Sequence, residues 1–170
     1  HTVALTDSGN VLAWGANWSE AWQLANATTL NSPRPTPVAA NEGLEAIGWP
    51  VIPTKEPVRP LGEIAQVTAG AFHTLAVRRD GLLLAWGQNA RWGQLGSGAA
   101  DWQPSVTPVR GIVAPRAFAG GMYHSLAVAA DGSVFAWGGN HRGQLGIGTA
   151  DMTPHGAPER IGAWRTLKAD

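Results

Sequence analysis

Three histidines, His1, His73 and His124, are each followed by Thr or Ser and, three positions on, by Ala. Imidazole is the side chain to weigh first for a metal centre or for proton transfer near neutral pH. Three carboxylates, Asp7, Asp80 and Asp131, keep the same rhythm beside Gly9, Gly81 and Gly132, and glycoside hydrolysis needs a pair of carboxylates. The rhythm itself argues against both chemistries. A group that recurs once per repeat is carried one repeat away from its copy, so neither set gathers into a cluster. A buried imidazole bonded to the backbone of a neighbouring strand has both ring nitrogens satisfied and serves as a structural pin. Asp-Gly between two apolar runs is a hairpin turn. His141 and His155 lie in loops without a partner at ligand spacing and are read as surface residues. No catalytic residue, metal ligand or cofactor site is assigned, and the chain is read as non-enzymatic. Glu20, Glu42, Glu45, Glu56, Glu63 and Glu159 fall mostly in variable stretches, which keeps a carboxylate pair open as an alternative. Walker A, nucleophile-elbow and HExxH patterns do not occur.

The elements that must hold these residues repeat as well. The stretch from Gly70 to Gly98 returns from Gly121 to Gly148, with an offset of 51 at His73 and His124 and again at Trp86 and Trp137. Residues from His1 to Asn17 are a third copy. The shared pattern runs His-Thr/Ser-x-Ala, a Gly-marked turn, Trp-Gly-x-Asn, and then Gly-Gln-Leu-Gly-x-Gly in the second and third copies. A period near 50 is the size of one propeller blade or solenoid unit. With 22 Gly, 12 Pro and 9 Trp, the composition suits short strands and tight turns rather than long helices.

This pattern resembles the repeat of the regulator of chromosome condensation (RCC1-like) family. The resemblance implies an all-β fold of propeller blades, here three units of about 51 residues. The first unit spans 1–63 with a 20-residue insertion at about 40–60, the second 64–111 and the third 112–160. Residues 161–170 read as the lead-in strand of a fourth unit or as a ring-closing strand. Rings of the family usually have seven blades, so three are expected to be part of a longer ring. Copies that complete each other through the C-terminal strand, or an open arc, are the alternatives.

The fixed positions read as scaffold. His1, His73 and His124 pin the blades, and Trp14, Trp86 and Trp137 fill the wedge between neighbouring sheets. Asn17, Asn89 and Asn140 cap the following loop, with Gln94 and Gln144 helping. Gly70 and Gly121 are structural, Gly121 as a candidate positive-φ position. In the first copy the loop glycines are replaced by Trp22, Ala25 and Ala27, so that loop is expected to be remodelled.

Function is left to the residues that do not repeat. Trp18, Trp22, Trp49, Arg91, Trp92, Trp102 and Arg142 crowd the loops and the insertion, and aromatics with arginine are the composition of interface hot spots. The main expectation is a protein–protein interaction scaffold using a propeller face. Relatives of the family include a nucleotide exchange factor for a small GTPase that binds chromatin, inhibitors, and ligase-associated modules. Exchange-factor-like regulation, carbohydrate binding or processing, and self-assembly of the blades therefore stand as alternatives. Twelve basic residues balance twelve acidic ones, so there is no charge excess for nucleic acid or an anionic membrane. No 18-residue apolar run offers a spanning helix, and the absence of cysteine excludes disulfides and thiolate chemistry without indicating a compartment.

Overall fold

The computed structural model describes residues 1–18, 22–26, 28–38, 61–101 and 106–162. Eleven strands are present among them: β1 (Thr2–Leu5), β2 (Val11–Gly15), β3 (Ser32–Pro37), β4 (Ile64–Ala69), β5 (His73–Arg78), β6 (Leu82–Gly87), β7 (Thr107–Val113), β8 (Ala117–Gly120), β9 (His124–Val128), β10 (Val134–Gly138) and β11 (His155–Arg160). They form three antiparallel meanders, β1-β2-β3, β4-β5-β6-β7 and β8-β9-β10-β11. These are propeller blades set side by side in an arc that does not close into a ring. Strand β7 runs through positions 111 and 112, so the passage from second to third blade falls at Ala114–Arg116.

Turn chemistry sets the register of each hairpin. Gly81 and Gly132 adopt φ of 90° and 86°, and the carboxylates of Asp80 and Asp131 accept the backbone N–H groups of Leu82 and Ser133 at 3.1 and 2.9 Å. His73 then pairs with Gly87 and Thr74 with Trp86 across β5 and β6, and His124 with Gly138 across β9 and β10. Each histidine thus starts a strand at the end of the blade opposite the Asp-Gly turn.

Because side chains alternate along a strand, β5 and β6 feed two cores. Ala76, Leu84 and Trp86 face the first blade and join Val11, Ala13, Leu24 and Ile64. Leu75, Val77, Leu83 and Ala85 face the third, where they meet Ala127 and Trp137. Trp86 and Trp137 are essentially sealed from solvent, whereas Trp14 is half-buried.

The first-blade loop departs from expectation at two of its three substituted positions, Trp22 and Ala25, while Ala27 lies outside the described residues. Gly93 and Gly96 have φ of 77° and 69°, Gly143 and Gly146 of 72° and 67°, and Trp22 and Ala25 take the same left-handed conformation at 48° and 42°. The buried ring of Trp22 and the hydrogen bond from Ala25 N to Trp22 O at 3.1 Å hold the turn in a conformation that costs an L-residue about 1–2 kcal/mol. One more expectation changes. Gly121 does not have a positive φ; a Cβ there would lie inside the imidazole of His124. At Gly70 a Cβ would sit 2.5 Å from His73 Cε1 and 2.6 Å from the carbonyl oxygen of Gly121. Both positions need glycine for close approach, not for backbone freedom.

Candidate functional site: an aromatic shelf beside the blade latches

Two sets of side chains share the loop end of the blades. The first latches one blade to the next. The indole N–H of Trp86 donates to the backbone oxygen of Gln23 at 3.2 Å, and that of Trp137 to Gln94 O at 2.9 Å. His1 Nε2 meets Thr74 Oγ1 at 2.8 Å and His73 Nε2 meets Ser125 Oγ at 2.8 Å, each reaching the hydroxyl residue of the following blade. Ser125 in turn donates to Gln94 O at 2.8 Å, so its oxygen accepts from His73 and the His73 proton sits on Nε2. The partner of each histidine is therefore a side-chain hydroxyl across the blade interface, not the backbone of an adjacent strand. Nδ1 of His73 and Nδ1 of His1 are buried without a hydrogen-bond partner among the described residues. Complete burial, followed by the neighbouring His124, pushes His73 down to about 3. His124 is held below the usual imidazole range by burial and by His141.

The three asparagines close the loops by one shared device. The side-chain oxygens of Asn17, Asn89 and Asn140 accept the N–H of Leu24, Leu95 and Leu145 at 3.2, 3.0 and 3.3 Å, although these leucines lie seven, six and five residues on. Their amide nitrogens donate to loop oxygens such as those of Thr28, Ala99 and Thr149. Gln144 Oε1 also caps, accepting the N–H of Arg142 at 2.8 Å, but both polar atoms of the Gln94 amide are buried without a partner among the described residues.

The second set is aromatic and borders open surface. Phe72 and Tyr123, immediately ahead of His73 and His124, stack with centroids 5.3 Å apart and planes 8° from parallel. Trp18 continues the row at 5.7 Å from Phe72. On the other side Trp92 lies 6.3 Å from Tyr123 and 5.1 Å from His141. The rings cross from the first blade to the third. Trp18 is 59% exposed, and Met152, beside Trp92 and His141, is 66% exposed. Arg91 lays its guanidinium over Trp92 at 5.0 Å. Gln88, Arg91, Trp92, Tyr123, His141 and Met152 line an open hollow of about 300 Å³.

The geometry sorts the sequence candidates. Trp18 and Arg91 come together at the shelf, and Trp92, only 5% exposed, underlies it as the ring that Tyr123, His141 and Arg91 contact. Trp22 is 5% exposed and packed inside, which leaves it almost no surface to offer a partner. Arg142 is exposed but does not line the hollow. Trp49, Trp102, the insertion at 40–60 and residues 163–170 of the strand expected over 161–170 lie outside the described residues; Ile161 and Gly162 are described and are not in a strand. Phe72, Tyr123, His141 and Met152 were missed, the first two because they sit inside the repeated motif. Their signal was an aromatic at the variable position just before each repeat histidine.

A hydrogen-bonded clamp sits next to Met152 in the third-blade loop. Asp151, next to Met152, accepts from Asn140 Nδ2 at 2.9 Å, Thr149 Oγ1 at 3.1 Å and Thr153 N at 3.0 Å. His155 bridges Asp151 at 3.1 Å and Glu159 at 2.5 Å. The hydrogen bond from Asn140, then that from His155, lowers Asp151 to about 2. Burial opposes charge on His155, but Glu159 and Asp151 outweigh it and raise its pKa.

Comparison with known proteins agrees with this architecture. The regulator of chromosome condensation (RCC1) repeat matches residues 64–91, 116–144 and 131–166. The chain is 33% identical over 148 residues to the mitochondrial RCC1 domain-containing protein RUG3 of Arabidopsis thaliana, covering 86% of this chain and 30% of that protein. It is 30% identical over 171 residues to the ultraviolet-B receptor UVR8 of the same plant, covering 99% and 34%. It thus spans about a third of the length of these relatives. Among solved structures, Prp20p of Saccharomyces cerevisiae superposes with a TM-score of 0.71 at 22% identity, over 96% of this chain and 36% of that one. Repeated blades, inter-blade latches and matching relatives lead to one conclusion: the chain belongs to the RCC1-like repeat family.

Proposed function

We propose that this chain is a protein–protein interaction scaffold and that the aromatic shelf is its binding face. The observation that carries the reading is the continuous row Trp18–Phe72–Tyr123–Trp92–His141, which crosses all three blades at one end and leaves large apolar side chains in contact with solvent. Rings held by a rigid scaffold lose little side-chain entropy when a partner covers them, which is why such clusters dominate interface energetics. A solved relative gives the same direction, since Prp20p is described with binding to Gsp1p and to histones.

Site-specific photo-crosslinking tests the reading. A photoreactive phenylalanine analogue placed at Tyr123 should capture discrete protein adducts, and the same analogue at Asp80, at the opposite end of the blade, should not. Adding Phe72→Ser should abolish the Tyr123 adducts while leaving the melting temperature within a few degrees. Equal labelling from both positions, or none from Tyr123, would overturn the proposal.

A further inference from the structure

Around the hollow, hydrogen-bond donors outnumber acceptors, and no acidic side chain lines it. Arg91 is exposed and makes no ion pair among the described residues; its guanidinium carbon instead lies over the Trp92 ring, 5.0 Å from the centroid. His141 contributes a second donor. Because Gln144 Oε1 accepts the N–H of Arg142, its amide nitrogen is the atom facing His141 Nδ1, at 3.4 Å. That arrangement leaves the ring proton on Nε2. The Tyr123 hydroxyl is a third donor and has no hydrogen bond among the described residues. Asp151, the acid beside Met152, is committed to Asn140, Thr149, Thr153 and His155. One acceptor of the lining, Gln88 Oε1, is buried and has no partner among the described residues.

We infer that the hollow between Arg91 and His141 receives the carboxylate of an Asp or Glu side chain on a partner polypeptide, while the Phe72–Tyr123 shelf seats its apolar neighbours. The inference rests on the interaction reading above and names the partner's chemistry. A carboxylate is the planar anion that a guanidinium binds through paired hydrogen bonds, and Trp92 already holds Arg91 in place. Single-stranded nucleic acid, the other polymer that uses rings and arginine, normally relies on a basic field, and this chain has a net charge of zero.

The test is selection of phage-displayed random dodecapeptides on the intact protein, with recovered peptides measured by fluorescence polarisation. Peptides that need the shelf, identified by loss of binding to Phe72→Ser, should carry Asp or Glu at least about threefold above their frequency in the library. Changing that acid to its amide should weaken binding about tenfold, as expected for one lost charge-assisted contact. Arg91→Gln should cause a similar loss and Arg91→Lys a smaller one. Shelf-dependent peptides without acid enrichment, or insensitive to Arg91→Gln, would overturn this inference and leave the interaction reading standing. No shelf-dependent peptide at all would overturn both. A fluorescent oligothymidylate bound through Arg91 as tightly as the best peptide would reassign the hollow to nucleic acid and overturn it as well.

Discussion

His73 and Phe72 are consecutive residues with opposite fates, as are His124 and Tyr123. The histidine of the first pair turns inward, is sealed from solvent and joins Ser125 of the next blade. The aromatic turns towards the loop face and stacks on its counterpart from the next blade. The split falls at the strand boundary: each histidine opens its strand, β5 or β9, and each aromatic sits in the bend just ahead of it. Latch and shelf therefore lie side by side at one end of the blades. Stability should be concentrated in the first and recognition in the second, and substitutions can separate them.

The largest expected effect is on the latch. Trp137→Ala removes a fully buried indole and the hydrogen bond to Gln94 O, and should cost about 3–5 kcal/mol in denaturant unfolding. A loss below about 1 kcal/mol would mean that the blade interface does not depend on it. Next comes Gly70→Ala, which forces a Cβ against buried His73 and the Gly121 carbonyl and should destabilise by about 1–3 kcal/mol. Gly121→Ala should cost less, because the atoms in its way belong to the half-buried His124 ring, which can move aside. Equal losses would show that both rings are held alike.

Acid should also act through the latch. The pKa of His73 is depressed to about 3 in the folded state against 6.5 when exposed, so the unfolded chain binds the extra proton between those values. Its contribution is present above pH 6.5 and is lost as the pH falls towards 3, with a slope of at most roughly 1.4 kcal/mol per pH unit. Replacing His73 with Gln should flatten that part of the stability–pH curve; an unchanged slope would assign acid sensitivity elsewhere. His155 works in the other window. Its raised pKa gives stability that is full below 6.5 and is lost as pH rises through the folded value.

Smaller changes complete the comparison. Ala25→Gly relieves a left-handed alanine at φ 42° and should stabilise by up to about 1 kcal/mol, whereas Trp22→Gly relieves its φ of 48° but empties a buried site and should destabilise. Tyr123→Ser should shift stability least, because its ring is on the shelf rather than in either core. A loss above about 2 kcal/mol there would move Tyr123 from recognition into the scaffold.

Much of this was legible in the residues alone. The repeat at His73 and His124, the Asp-Gly turns and the Trp-Gly-x-Asn runs encode blades because each is local: turn geometry, strand alternation and a capping amide act over a few residues. The loop closures by Asn17, Asn89 and Asn140 belong to that class. Between blades, the wedge role of Trp86 and Trp137 was legible, but the individual contacts were not. Which hydroxyl His73 meets, why Gly70 and Gly121 must lack a Cβ, and the fact that Trp22 holds a left-handed turn all depend on how neighbouring sheets approach. The shelf depends on the same approach, for Trp18, Phe72, Tyr123 and Trp92 are tens of residues apart along the chain. Sequence determined the blades and their fixed interior positions through short-range periodicity. Only the tertiary structure, by stacking one blade against the next, decided which of the remaining aromatics share a surface.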